Sequence, residues 1–246
     1  MRRFSLITLI SASLLVGCSS KPDVVPEVPP SQLYAEAQTA ISQSYWEEAT
    51  KKLEAIDTRY PFGAYSNQVQ LDLIYTYYKK VDLPLSLATI NRFMRLHPTD
   101  PKMDWVVYMK GLVYMQQGES SLLDFFGIDP SDREPELAKK AYSTFALLLR
   151  RYPSSSYTAD AKARMAFLKE RFSRYELAVT DYYARRGANV AAANRGQALI
   201  RDYTDTQAAR DVLPIMLQAY EKLHLEKQAD HVRTLMNLNA VNKKAN

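Results

Sequence analysis

The chain has 246 residues, a formal net charge of +5, 47% hydrophobic residues, seven glycines, seventeen tyrosines and one cysteine. That apolar content is enough to bury the core of one or two domains, and a single cysteine leaves packing rather than an internal disulfide to supply stability. Two of the surplus charges, Arg2 and Arg3, sit at the extreme N-terminus, so the remainder carries only +3, which argues against nucleic-acid binding despite a pI near 9.1.

Arg2 and Arg3 precede a mostly apolar run, Phe4 to Val16. A bilayer-spanning helix needs about 20 such residues, so the run reads instead as a secretory signal peptide over residues 1–17. Leu15-Val16-Gly17-Cys18 resembles a bacterial lipobox. The resemblance implies cleavage before Cys18, a diacylglycerol on its thiol and a third acyl chain on the new amine. Three chains make a durable membrane anchor, where one holds only marginally. Ser19 follows the cysteine. In lipoproteins of double-membraned bacteria an aspartate there goes with inner-membrane retention, so the outer membrane is implied. Residues 18–30 form the lipidated tether. Pro22, Pro26, Pro29 and Pro30 forbid a helix or an interior strand there, and an extended chain of this length reaches about 35 Å.

From Ser31 the chain reads as consecutive helices. Leu71, Ile74, Tyr75 and Tyr78 recur at helical spacing, and no run alternates as a strand would. Pro, Gly and Ser punctuate it near 61–66, 97–101, 118–135, 153–156, 187 and 204–206. The breaks are self-similar: Arg59-Tyr60-Pro61, Arg95-Leu96-His97-Pro98, Arg151-Tyr152-Pro153 and Arg201-Asp202-Tyr203-Thr204. They fit the tetratricopeptide (TPR) pattern of about 34 residues, with Ala49, Leu53, Tyr77, Gly111, Tyr114, Ala141, Phe145, Tyr183, Ala192, Tyr220 and Ala229 at its small, tyrosine and large apolar positions. The expected fold is therefore all-α: a right-handed superhelix with a concave groove and five helix-pair repeats, at about 31–62, 63–99, 100–154, 155–204 and 205–241. Repeats 1–3 make an N-terminal block (31–154), repeats 4–5 a C-terminal block (155–241), and 242–246 a tail. The third repeat carries an insertion over 118–135. The stretch from Ser156 to Arg186 lacks Gly and Pro, which predicts one long helix, or two with a bend near Ser173. Thr204 stands where the pattern has proline, which predicts a looser helix end.

The search for chemistry finds no catalytic centre. His97 reads as a cap at a helix end. His224 and His231 lack the carboxylate pattern of a metal site. There is no phosphate-binding glycine loop and no Gly-x-Ser-x-Gly elbow. An acylated Cys18 cannot act as a nucleophile, and Glu47-Glu48 reads as a solvated helix face. No metal or cofactor is implied. The aromatic residues are more informative. Tyr60, Phe62 and Tyr65, beside Arg59, lie at an inter-repeat turn; they suit either repeat packing or an extended peptide with an aromatic end. The insertion holds Leu122, Leu123, Phe125, Phe126 and Ile128, which either dock on the third repeat or offer an edge to a partner. Around Gly187, the residues Tyr182, Arg185, Arg186, Asn189 and Arg195 make either a solvated turn or an interface, since Tyr and Arg are enriched at binding hot spots.

Several motifs together resemble the BamD (YfiO) family, outer-membrane lipoproteins of the β-barrel assembly machine. They are Arg59-Tyr60-Pro61-Phe62-Gly63 leading into Gln70-Leu71-Asp72-Leu73-Ile74-Tyr75, Phe125-Phe126-Gly127 with Ser131-Asp132-Arg133, and Tyr182-Tyr183 through Arg186-Gly187 to Asn194-Arg195. The resemblance covers essentially the whole chain. It implies a non-enzymatic scaffold without cofactors. The C-terminal repeats would bind the POTRA region of a BamA-like barrel protein, with BamC- and BamE-like lipoproteins as further contacts. The N-terminal repeats would receive the C-terminal signals of unfolded outer-membrane proteins. The competing reading is a pilotin-like TPR lipoprotein that escorts secretin subunits; it would lack the insertion and the Arg-Gly-to-Asn-Arg turn. A cell-wall hydrolase would need a carboxylate or metal centre, and the sequence offers none.

Overall fold

The computed structural model describes residues 27–118 and 136–245, and among them every regular element is a helix. Proline opens the first one. Pro30 sits in the first turn of α1 (Pro30–Ser42), where its missing N–H has no helical partner to lose. Pro30 therefore belongs to the helix and not to the tether. The series continues with α2 (Trp46–Arg59), α3 (Ser66–Lys79), α4 (Leu83–Leu96) and α5 (Met103–Gly118). After residues 119–135 come α6 (Glu136–Arg151), α7 (Thr158–Arg185), α8 (Asn189–Asp202), α9 (Gln207–Asp211), α10 (Leu213–Lys222) and α11 (Glu226–Ala245). Cys18 and the apolar residues of the insertion lie outside the described residues.

Two turn types alternate along the chain, and they define the repeat. Four helices, α1, α3, α7 and α10, end in the same left-handed residue: Ser44 (φ 62°), Val81 (φ 63°), Gly187 (φ 73°) and His224 (φ 57°). At each, the next N–H reaches back to the carbonyl five residues earlier: Tyr45 to Ala40, Asp82 to Tyr77, Ala188 to Tyr183 and Leu225 to Tyr220, at 2.8–3.0 Å. This is the Schellman closure, which satisfies the orphan carbonyls of the last turn. The second type follows α2, α4, α6 and α8. The N–H groups of Tyr60, His97, Tyr152 and Tyr203 close the helices onto Ile56, Phe93, Leu148 and Leu199, each at 2.8–2.9 Å. Pro61, Pro98 and Pro153 then forbid continuation. Thr204 takes the fourth proline's place without loosening the end, because its hydroxyl donates to the Ile200 carbonyl at 2.7 Å. Where the third repeat would need its tight turn, between α5 and α6, the insertion stands instead.

Small residues set the helix spacing. A Cβ on Gly111 would lie 2.4 Å from the Phe145 ring, and one on Gly196 would lie 2.4 Å from Met216. Each glycine therefore lets its helix close on a neighbour: α5 on α6, and α8 on α10. Three apolar clusters result. The first joins α1, α2 and α3 around Leu33, Leu53, Ile56 and Tyr77. The second runs from α3 to α7 around Phe93, Phe145 and Leu148. The third joins α7 to α11 and is rich in alanine, with Ala192, Ala208, Ala219 and Ala229 buried. α7 is one continuous helix of 28 residues, about 42 Å long. Ser173 lies buried within it, its hydroxyl turned back to Glu170. Leu168 and Phe172 of α7 enter the second cluster and Leu177 and Tyr183 the third, so this helix joins the two blocks. The fifth repeat's first helix is split into α9 and α10, because Pro214 removes a hydrogen bond just after Val212.

Candidate functional site

At the turn between α2 and α3, Arg59 ends its helix where a cation complements the carbonyl dipole. Tyr60 is the C-cap, and its carbonyl accepts from the Gly63 N–H at 3.0 Å. That turn holds Phe62 at its tip with 97% of its surface exposed, the most exposed large apolar side chain among the described residues. Tyr60 is 37% exposed. Tyr65 is not free: its ring lies 4.9 Å from Tyr34 and packs against the first cluster.

Tyr34 leads from this rim into the inner face. Its hydroxyl donates to Asp72 at 3.0 Å, and Gln38 and Gln68 donate to the same carboxylate at 2.6 and 2.8 Å. Lys102 completes the network by donating to Gln68 at 2.9 Å. Burial pushes the Asp72 carboxyl above its ordinary pKa, although these donors and the Lys102 charge pull it down. Burial and the Asp72 charge push the Tyr34 hydroxyl up. Gln38, Gln68, Asp72 and Lys102 line a cleft of about 380 Å³ between α1, α3, the start of α5 and the turn before α7, with Ile41, Leu71, Tyr75, Trp105 and Tyr157 as its apolar wall. The candidate peptide-binding residues expected from the sequence lie at the turn, and Gln38, Asp72 and Lys102 were not among them. A signal was present: Tyr34/Gln38 and Gln68/Asp72 are each four apart, on one helix face.

The second candidate surface surrounds Gly187. The structure brings Tyr182, Arg185 and Arg195 to one cleft of about 540 Å³, walled by Tyr175, Val179 and Tyr183. Tyr182 and Tyr183 meet edge to face at 5.6 Å, and the Arg186 guanidinium sits 5.1 Å over the Tyr182 ring. Arg185 pairs with Asp181 at 2.8 Å, and Arg195 pairs with Glu176 of α7 at 3.1 Å. Arg195 is thus a tie between α7 and α8 as well as a surface cation. Asn189 opens α8, with its N–H on the Gly187 carbonyl at 2.9 Å, and does not line the cleft.

The histidines stand apart from one another. His97 caps α4, with its ring 4.9 Å from Phe93. His224 occupies a left-handed turn, and His231 lies on α11. Among the described residues no three His, Cys, Asp or Glu side chains gather as a metal site, and no helix is long and apolar enough to cross a membrane.

Alternating turns, stacked helix pairs and an inner cleft define a tetratricopeptide-type superhelical protein. Within that class, the family model described as "Outer membrane lipoprotein" (YfiO) matches residues 26–235. The chain is 56% identical over 239 residues to the outer membrane protein assembly factor BamD of Vibrio cholerae, covering 97% of this chain and 99% of that one. It is 37% identical to the same factor of Pasteurella multocida (97% and 92% covered) and 38% identical to that of Neisseria meningitidis serogroup B (95% and 90%). The chain belongs to the BamD (YfiO) family of outer-membrane protein assembly factors. A tetratricopeptide repeat protein from Parabacteroides merdae is a looser structural match, with a TM-score of 0.40 and 11% identity over 82% of this chain and 77% of its own. The repeat assignment rests on the turns described above.

Proposed function

We propose that this chain is a lipid-anchored, non-enzymatic scaffold of outer-membrane protein assembly, held on the periplasmic face of the outer membrane through Cys18. Its inner N-terminal face receives the aromatic C-terminal signal of an unfolded outer-membrane protein. The observation that carries this reading is Phe62. A fully exposed ring at the turn that leads into α3, the helix that carries Gln68, Asp72 and Tyr75 of the cleft, is costly to leave in water and gains on contact with another ring. Tyr60 and Arg59 flank it, and Arg59 suits a terminal carboxylate. The Gly187 surface binds the POTRA region of a BamA-like barrel protein through Tyr182, Arg185, Arg186 and Arg195, with Asn189 at its edge. BamC- and BamE-like lipoproteins are further partners.

Two measurements test the reading. Mass spectrometry of the mature N-terminus finds a triacylated Cys18; an unmodified cysteine, or a chain beginning elsewhere, removes the anchor. Capture of the POTRA-bearing partner falls at least tenfold in Arg186→Glu, because loss of an interface anchor commonly costs about 2 kcal/mol or more. Arg195→Leu weakens capture as well, but it also leaves Glu176 unpaired, so Arg186→Glu is the cleaner variant. Undiminished capture in Arg186→Glu makes the turn a solvated one.

A further inference from the structure

A second cleft, of about 480 Å³, opens between α8 and α11. Its floor is apolar: Ile200 of α8, Met216 and Tyr220 of α10, and Val232 and Leu235 of α11. α10 packs on both flanking helices. The rim carries Arg201, Lys227 and His231 with the amides of Gln197 and Gln228, and no carboxylate lines the cleft. The carboxylate of Asp202 lies beside it, held by Arg201 at 2.8 Å with both side chains exposed. The pair is bidentate, with a second bond at 3.0 Å, but it lies in solvent, where a competing carboxylate can reach Arg201. On α11, Gln228, Val232 and Leu235 share one helical face, which continues to Leu238 with 57% of its surface exposed.

This surface is separate from the Gly187 turn. At about 100° per residue, Gln197, Ile200 and Arg201 project from the side of α8 opposite Arg195. Arg195 faces Glu176 of α7, whereas the cleft faces α10 and α11.

We propose that the cleft docks an amphipathic helix of another protein, with apolar anchors at i, i+3 or i+4 and i+7 and carboxylates along its flanks. A groove between two helices over an apolar floor accepts a third helix by inserting a row of side chains. The volume lies within the range of about 300–1,000 Å³ typical of clefts that bury a ligand's anchors. The charge at the rim selects the flanks: Arg201 and Lys227 attract carboxylates and repel a basic helix. An extended segment finds no sheet edge here to pair with its backbone. The proposal does not depend on the peptide or POTRA readings.

The test uses the full lipid-anchored chain in nanodiscs with a photoreactive residue in place of Gln228. The probe is a synthetic helical peptide of about five turns, with leucines at the anchor positions and glutamates on its flanks. Its twin carries lysines in place of the glutamates. The acidic peptide crosslinks at position 228 and binds at least tenfold tighter than the basic twin, and the difference shrinks as salt rises. The double variant Arg201→Glu/Lys227→Glu reverses the preference while its helical circular dichroism is unchanged. Equal binding of the twins, no crosslink at 228, or a preference that survives charge reversal overturns the proposal. So does saturable occupation of the cleft by decanoate with no peptide binding, which would make it a small-amphiphile site.

Discussion

The N-terminal inner face and the Gly187 surface are both rich in tyrosine and charge, yet they are built in opposite ways. Around Asp72 the polar groups satisfy one another across two helices and a turn: Tyr34 and Gln38 on α1, Gln68 on α3, and Lys102 just before α5. Such a network holds its members in one arrangement. Around Gly187 the contacts are pairwise: Arg185 pairs with the exposed Asp181, Arg186 rests on the Tyr182 ring, and Arg195 pairs with the less exposed Glu176; an exposed pair such as Arg185–Asp181 contributes about 0–1 kcal/mol. The cores beneath differ in composition, with large buried side chains such as Phe93, Phe145 and Leu148 in one and, in the other, alanines interleaved with Leu199, Leu213, Met216 and Tyr220. A preorganised face suits a ligand that brings one recurring feature, such as a terminal ring. An adaptable face suits a folded partner whose charges replace the resident ones.

The largest effect comes from the two helical glycines. Gly111→Ala drives a methyl into the Phe145 ring, which is fully buried and cannot withdraw. We expect a loss of about 1–3 kcal/mol in chemical denaturation. Gly196→Ala meets Met216 at Cγ and Sδ, 2.4 and 2.8 Å away, so that buried side chain must take another rotamer; alanine gains about 1 kcal/mol of helix propensity, and we expect a smaller loss of about 0–2 kcal/mol. Equal losses at the two sites would erase the contrast between a fixed and a yielding core.

The left-handed turn residues give the next effect. Val81 is β-branched and 60% exposed at φ 63°, a conformation that costs an L-residue about 1–2 kcal/mol. Val81→Gly stabilises the chain by about 1 kcal/mol after the entropy of glycine is counted. Gly187→Val destabilises it by about 1–2 kcal/mol through the backbone alone, since nothing lies within 4 Å of the added Cβ. Opposite signs confirm that the two turns are copies of one motif; like signs would break the equivalence.

The smallest effect is a pH slope. The Asp72 carboxyl is raised by burial, so the folded protein keeps this proton at a pH where the unfolded chain has lost it. That contribution is complete below the unfolded Asp value near 3.9 and is lost as pH rises through the folded value. Asp72→Asn removes the slope. Urea midpoints followed from pH 4 upward therefore fall for wild type relative to the variant, and parallel curves would mean that the carboxyl is not desolvated.

The repeat was legible because its signals are local. Pro61, Pro98 and Pro153 end helices wherever they stand, and Ala49, Ala141, Ala192 and Ala229 are all fully buried. The left-handed turns were mostly hidden, since Ser44, Val81 and His224 carry no glycine signal and only Gly187 does. Pro214 marks the split of the fifth repeat in the sequence itself, since it can donate no hydrogen bond there. The Asp72 network was legible only in halves. The pairs Tyr34/Gln38 and Gln68/Asp72 each show at a spacing of four, but 34 to 38 residues separate Gln38 and Tyr34 from Asp72, and only the stacking of helix pairs brings them together. At the rim the sequence could place Tyr60, Phe62 and Tyr65 in one turn. It could not tell that Tyr65 would pack on Tyr34 while Phe62 stood clear.

The central claim is that the two surfaces serve different partners. It is tested most directly by photocrosslinking from two positions of the full chain, Phe62 and Arg186, against one peptide copied from the end of an outer-membrane barrel protein. The account predicts a crosslink at 62, little at 186, and a several-fold drop at 62 when the final aromatic residue is removed. Equal yields at both positions, or a yield at 62 indifferent to the terminal ring, would contradict it.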